Sequence, residues 1–227
     1  MFGRIVPRYD LLNSVLTAGF DRRWRERAAA LAAPNGARVL DLGTGTGMLA
    51  DALVARGARI LVGGDFSLEM LQAARRRVSV RLLTVADALD LPFADATFDV
   101  VTSAFLWRNL ADLPAGLAEL ARVLRPGGRV VSLEVTHPPG WRGPVFRLYF
   151  ERVVPIVGGL VSGDPVAYGY LPASLGHFPP ALQLADLLAA AGFERVSFQY
   201  VGLGGLAIHL AHKPDAPAQK HASALQP

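Results

Sequence analysis

Seven residues constrain this chain more than any others: Asp41-Leu42-Gly43-Thr44-Gly45-Thr46-Gly47. Val39 to Leu42 is a short apolar run that stops at glycines, so it reads as a buried strand. Met48 to Ala55 reads as a helix. Glycines at this junction let the backbone turn tightly and approach a ligand closely. The helix that follows offers its first N–H groups to a polar or anionic group.

The rest of the chain repeats the strand–helix alternation. Ile60 to Gly64 is a second strand ending at Asp65, and Leu68 to Arg77 a second helix with Ser67 as its N-cap. Val80 to Val85 and Phe98 to Ser103 are further strands, Pro114 to Leu124 a helix, and Val130 to Glu134 a fifth strand after a Pro126-Gly127-Gly128 turn. Such alternation predicts an α/β fold with a parallel sheet and helices on both faces. Residues 1–35 read as a helical cap, and residues 138–180, rich in Pro, Gly and aromatics, as a substrate-facing insertion. A helix over Leu182 to Ala191 and strands at Val196 to Tyr200 and Leu206 to Ala211 complete a single domain over residues 1–212. Residues 213–227 lack periodicity and read as a disordered tail.

Two carboxylates sharpen the reading of the glycine turn. Asp65 ends the second strand, where a carboxylate can accept both hydroxyls of a ribose. Asp87, beside Ala88 after the third strand, is placed to accept the exocyclic amine of adenine. Either alone is equally a turn residue; together, at one edge of a sheet, they favour a nucleoside site. The spacing is G-x-G-x-G, and Met48 occupies the last glycine position of the phosphate-binding G-x-G-x-x-G pattern. On its own such a turn could serve NAD, FAD, S-adenosylmethionine or nothing; the missing last glycine argues against NAD, and S-adenosylmethionine, having no pyrophosphate, does not need that pattern.

Composition closes off other chemistries. Among 227 residues, 52% are hydrophobic and 19% charged, which fits a packed globular chain. There is no cysteine, which removes disulfides and thiolate nucleophiles and makes the cytoplasm the expected compartment. Lys213 and Lys220 are the only lysines, so Schiff-base chemistry is not expected in the domain. The five histidines have no metal-ligand spacing, and no metal is expected. A net charge of +4 without a basic stripe interleaved with aromatics argues against nucleic acid as partner. Arg22, Arg23, Arg25 and Arg27 around Trp24 fit either the solvated face of a helix or a patch resting on a membrane.

Longer motifs carry a family resemblance. The run Val39 to Gly47, the run Asp87-Ala88-Leu89-Asp90-Leu91-Pro92-Phe93 followed by Phe98-Asp99-Val100-Val101, and Leu124-Arg125-Pro126-Gly127-Gly128 resemble the successive motifs of class I S-adenosylmethionine methyltransferases. Phe2 to Asn13, Asp21-Arg22-Arg23-Trp24, Phe105 to Asp112, Ser162-Gly163-Asp164, Tyr168 to Ser174 and Ala207-Ile208-His209 resemble, more narrowly, the ubiquinone/menaquinone-biosynthesis C-methyltransferases. The Tyr-Asp-x-x-Asn and Tyr-x-Tyr-Leu-Pro-x-Ser runs are the most specific of these.

The resemblance implies a Rossmann-like class I methyltransferase fold, with a seven-stranded, mostly parallel sheet whose last strand is antiparallel. It implies S-adenosylmethionine as methyl donor and a polyprenyl quinol as acceptor. By position, Thr46, Asp65, Asp87 and Ala88 match the family's cofactor residues. With Asp41, Gly43, Thr44, Gly45, Gly47, Phe66 and Ala104 they make up the expected cofactor site. Arg108 and Asn109 match an active-site Arg-Asn pair. An arginine stays protonated, so Arg108 is expected to stabilise a phenolate, unless it pairs structurally with Asp112 or Glu134. Tyr9 and His209 fit either ring contact and proton relay or core packing.

The chain departs from the family where Ser-Phe-Gly-Leu-Arg-Asn becomes Ala104-Phe105-Leu106-Trp107-Arg108-Asn109. Leu106 and Trp107 point to another small aromatic acceptor as the alternative, and Ala104 to a non-catalytic S-adenosylmethionine-binding protein. Val145 to Val161 fits a channel for an isoprenoid tail, a peripheral membrane contact, or a helix simply packed on the sheet. The sequence leaves oligomeric state open.

Overall fold

A computed structural model describes residues 6–77, 82–162 and 175–216. Seven strands form one sheet: β1 Arg38–Leu42, β2 Ile60–Asp65, β3 Leu82–Val85, β4 Phe98–Ala104, β5 Leu124–Val135, β6 Glu194–Val201 and β7 Leu206–His212. Their order is β3-β2-β1-β4-β5-β7-β6. The pairings from β3 to β5 are parallel, while β7 runs antiparallel to both β5 and β6. The doubly wound order reverses at β1 and β4, and in open α/β sheets that reversal is where ligands collect.

Adjacent residues of the central strands face opposite cores, as the two-residue strand period requires. Leu40, Val101 and Val130 join one cluster, with Leu117 and Leu120 of α5 (Leu113–Val123) and Leu184 and Leu188 of α8 (Ala181–Ala190). Val39, Val100 and Val131 join the other, with Ala28, Ala29 and Ala32 of α2 (Phe20–Ala32) and Leu49 and Leu53 of α3 (Met48–Ala55). Both faces of the sheet are therefore covered, which is why these strands read as unbroken apolar runs.

Several boundaries differ from expectation. The N-terminal helix is two helices, α1 (Val6–Leu16) and α2, because Ala18 and Gly19 turn left-handed between them. α4 (Leu68–Ala74) starts where Ser67 accepts the Met70 N–H, as expected, but ends before Arg75. The expected Val80 start of β3 lies outside the described residues. Pro126 to Gly128 is no turn: it is an irregularity inside β5, since Phe98 pairs with Leu124 whereas Val100 pairs with Arg129.

The expected insertion holds one helical run, α6 (Arg142–Leu148), a π-helical turn at Tyr149–Val153 and α7 (Val154–Ser162). Residues 163–174, which include Tyr168 and Tyr170, lie outside the described residues. Lys213, assigned from sequence to the tail, is tied down instead: its N–H donates to Gly128 O and its Nζ to Ala121 O and Leu124 O.

Candidate active site

The glycine turn lies at the carboxyl end of β1. Gly43, Gly45 and Gly47 all have positive φ, of 67°, 56° and 88°, a backbone that side-chain-bearing residues resist. Gly43 N and Thr44 N donate to Gly64 O, which fastens the turn to β2. Beneath it Asp41 accepts from Thr44 Oγ1 and from Thr102 Oγ1, both at 2.8 Å.

Asp41 is fully buried, and that burial lifts its carboxyl from the ordinary 3.8 to about 6, against the pull of the two threonine hydroxyls and the charge of Arg25. The native state then holds a proton that the unfolded chain releases near pH 4. Stability is expected to fall as pH rises from about 4 to about 6, by about 3 kcal/mol, and to level off above. Asp41→Asn, neutral throughout, removes that slope; urea unfolding of both proteins at pH 4.5, 5.5 and 7 measures it, and parallel slopes would show that Asp41 titrates normally.

Asp65, at the end of β2, accepts from Gly45 N through Oδ2 at 2.8 Å and from Ser67 N through Oδ1 at 2.9 Å. Burial raises its pKa, while these backbone donors oppose the shift. A carboxylate has about four acceptor positions, so Asp65 keeps capacity for a further donor such as a ribose hydroxyl. Asp87, at the end of β3, accepts the Leu89 N–H at 2.9 Å, and Ala88 behind it is buried. Phe66, directly after Asp65, is 76% exposed, an aromatic face without cover.

A recess of about 300 Å3, counted with the solvent space at its mouth, is lined by Asp41, Gly43, Thr44, Gly45, Thr46 and Ala104, together with Arg25 and Leu49. The space enclosed within it is far smaller than a small-molecule site, and helix α1 explains why. Thr46 Oγ1 donates to Asp10 Oδ1 at 2.6 Å, and Arg77 bridges Asp10, Asp51 and the Thr46 carbonyl at 2.6–2.8 Å. The N-terminal helix is thus strapped across the turn.

One helical turn beyond Ala104, a 3-10 segment (Trp107–Asn109) carries the Arg-Asn pair. Arg108 Nη1 donates to Glu134 Oε1 at 2.6 Å, and both side chains are buried. Of the two structural partners considered from sequence, Glu134 is the one it meets; Asp112 instead caps α5 through Ala115 N. Asn109 is exposed and donates to Phe105 O. Trp107, read from sequence as bulk at the acceptor, is 1% exposed and belongs to the sheet core. Leu106 lies against the turn: a Cβ added at Gly43 would come within 2.9 Å of the Leu106 Cβ.

His209 is not brought to the recess. His209 is buried on β7, stacked on Phe198, with its Nε2 at 2.8 Å from Ala181 O, and burial lowers its pKa. It has the surroundings of a neutral core histidine. Tyr9 lies on α1, and its side chain falls outside the description. Conversely, the sequence reading passed over Arg25, whose guanidinium lines the recess. Its signal was available: Asp21, Arg25, Ala28, Ala29 and Ala32 fall at helical spacing on the buried face of α2, away from the exposed Arg22, Arg23 and Arg27.

Solved structures share this fold. A possible histamine N-methyltransferase from Thermotoga maritima superposes with a TM-score of 0.68 at 22% identity, covering 93% of this chain and 97% of that one. The cyclase SpnF superposes at 0.65 with 23% identity, over 86% and 82% of the two chains, so the architecture alone does not specify a reaction. Sequence relatives are nearer. A demethylmenaquinone methyltransferase from Thermus thermophilus is 51% identical over 94% of this chain and 100% of its own length. One from Roseiflexus sp. is 42% identical over 94% and 92%. A ubiquinone/menaquinone biosynthesis C-methyltransferase from Desulfotalea psychrophila is 44% identical over 92% and 87%. The model of the ubiE/COQ5 methyltransferase family matches residues 1–213, and the chain belongs to that family.

Proposed function

We propose that this enzyme transfers the methyl group of S-adenosylmethionine to a ring carbon of a demethylmenaquinol, as one folded unit over residues 1–212. The observation that carries the reading is the 51% identity to a demethylmenaquinone methyltransferase along that protein's whole length. The donor set agrees with the methyl donor. Asp41 lies one residue before the end of β1, Asp65 ends β2 and Asp87 follows β3 by two residues, all toward the carboxyl ends of the strands, around a turn whose glycines leave room for close approach. Asp65 keeps acceptor positions for a ribose diol, Asp87 and Phe66 flank the place for an adenine, and Thr46 and Ala104 face the recess.

When bound, S-adenosylmethionine supplies a methyl group already activated by its sulfonium. The chain's task is then orientation and electrostatics. Arg108, fixed by Glu134 at the carboxyl ends of β4 and β5, favours the phenolate form of the quinol and so raises the nucleophilicity of the ring carbon. Asn109 orients it. Helix α1 must lift from Thr46 for the donor to enter, since Asp10 holds that hydroxyl.

The acceptor is met at a membrane surface. Among the described residues no helix is long and apolar enough to cross a membrane. Yet Trp141, Val145, Leu148, Val153 and Ile156 of the α6–α7 run are exposed, while Phe146, Phe150 and Val154 turn inward. Arg142, Arg147 and Arg152 rim that apolar stripe, a pattern suited to anionic headgroups.

The test is incubation with methyl-labelled S-adenosylmethionine and a short-chain demethylmenaquinol in anionic vesicles. Label on the ring carbon is the expected result. No label, from protein that binds the donor, overturns the acceptor; equal rates with zwitterionic vesicles overturn the surface.

A further inference from the structure

Arg25 is a buried cation at the edge of the recess, and nothing above gives it a task. Its side chain is 7% exposed, and it lines the recess with Asp41, Thr44, Thr46 and Ala104. Its guanidinium lies 5.1 Å from the centre of the Phe105 ring. The nearest acid is Asp21, whose Oδ2 is 3.6 Å from Nη1, too far for a hydrogen bond. Among the described residues, Arg25 Nη1 and Asp21 Oδ2 both lack a hydrogen-bond partner. Asp41, the acid in the recess wall, has its oxygens turned to Thr44 and Thr102.

A buried donor left unmet is costly, and native structures rarely keep one without a use. The ion pair with Asp21 leaves Nη1 without a hydrogen bond, and the cation borders a space that opens to solvent. An anion of carboxylate size, accepting from Nη1, completes it. Phe105 contributes to the fixed position: its φ of 63° is strained for a side-chain-bearing residue, and strain of this kind gathers at ligand sites.

We infer that Arg25 holds the α-carboxylate of the methyl donor's amino-acid half. This rests on reading the recess as the donor's site. The same contact would be made by the demethylated product, which keeps that carboxylate.

The experiment compares S-adenosylmethionine with its decarboxylated analogue by titration calorimetry. The wild-type protein is expected to bind the intact molecule about ten- to a hundred-fold more tightly. Arg25→Gln is expected to erase that preference while leaving the analogue's affinity unchanged. Arg25→Lys, which keeps the charge, retains part of it and serves where the glutamine variant does not fold. Equal affinity of the wild type for both compounds overturns the inference. So does a glutamine variant that keeps the full preference, or one that loses both compounds by the same factor, as a purely structural residue would. A wild type that binds neither compound sinks the reading of the recess itself, a different result from any of these.

Discussion

Arg108→Met is expected to reduce kcat about 10²- to 10³-fold, the usual loss when one charge-stabilising donor is removed from a reaction centre. It should also lower the unfolding free energy by about 3–5 kcal/mol, because Glu134, 1% exposed, is left as a buried carboxylate without its cation. The two effects separate in a double variant. Arg108→Met with Glu134→Met replaces the pair by apolar side chains, which buried ion pairs commonly tolerate. Stability should return in the double variant while turnover does not. Steady-state kinetics and urea unfolding on the three proteins measure both. If turnover returns with stability, Arg108 is a structural residue and the phenolate must be stabilised by another group.

Asp65→Ala is expected to weaken S-adenosylhomocysteine binding by about 10²- to 10⁴-fold. The estimate adds charge-assisted hydrogen bonds to a ribose diol, each worth about 1.5–3 kcal/mol, to the loosening of Gly45 and Ser67 when their shared acceptor disappears. The KM for the quinol should change little, since Asp65 lies at β2 and the Arg108–Glu134 pair at β4 and β5. Calorimetry on the product complex, with quinol kinetics at saturating donor, distinguishes the two. A rise in quinol KM as large as the loss of product binding would place Asp65 on the acceptor side instead.

Much of this was legible in the sequence. The strand–glycine–helix passage at residues 39–55 and the carboxylates Asp41 and Asp65 follow from local pattern, because each is set by its immediate neighbours. The antiparallel β7 came from the family resemblance, not from any periodicity, since Leu206–His212 is apolar and buried like the parallel strands of the sheet. Other features depend on contacts distant in sequence. Trp107 reads as an active-site residue until the sheet core closes over it. The pairing of Arg108 with Glu134, and of Asp10 with Thr46 and Arg77, joins segments 26 to 67 residues apart. Arg25 stood in a cluster whose other members are solvated, and only the register of α2 sets it apart.

The contact between Gly43 and Leu106 has a bearing on how this chain can change. Gly43 is confined by its positive φ and, separately, by the Leu106 side chain occupying the space its Cβ would need. The two positions are therefore coupled through exclusion. A larger residue at 43 needs both a tolerant backbone and a smaller partner at 106, whereas a smaller residue at 106 leaves a void directly against the ligand-facing turn. A larger residue at 43 is expected to be tolerated only together with a smaller one at 106, so Leu106 belongs to the inheritance of the turn as much as to the choice of acceptor.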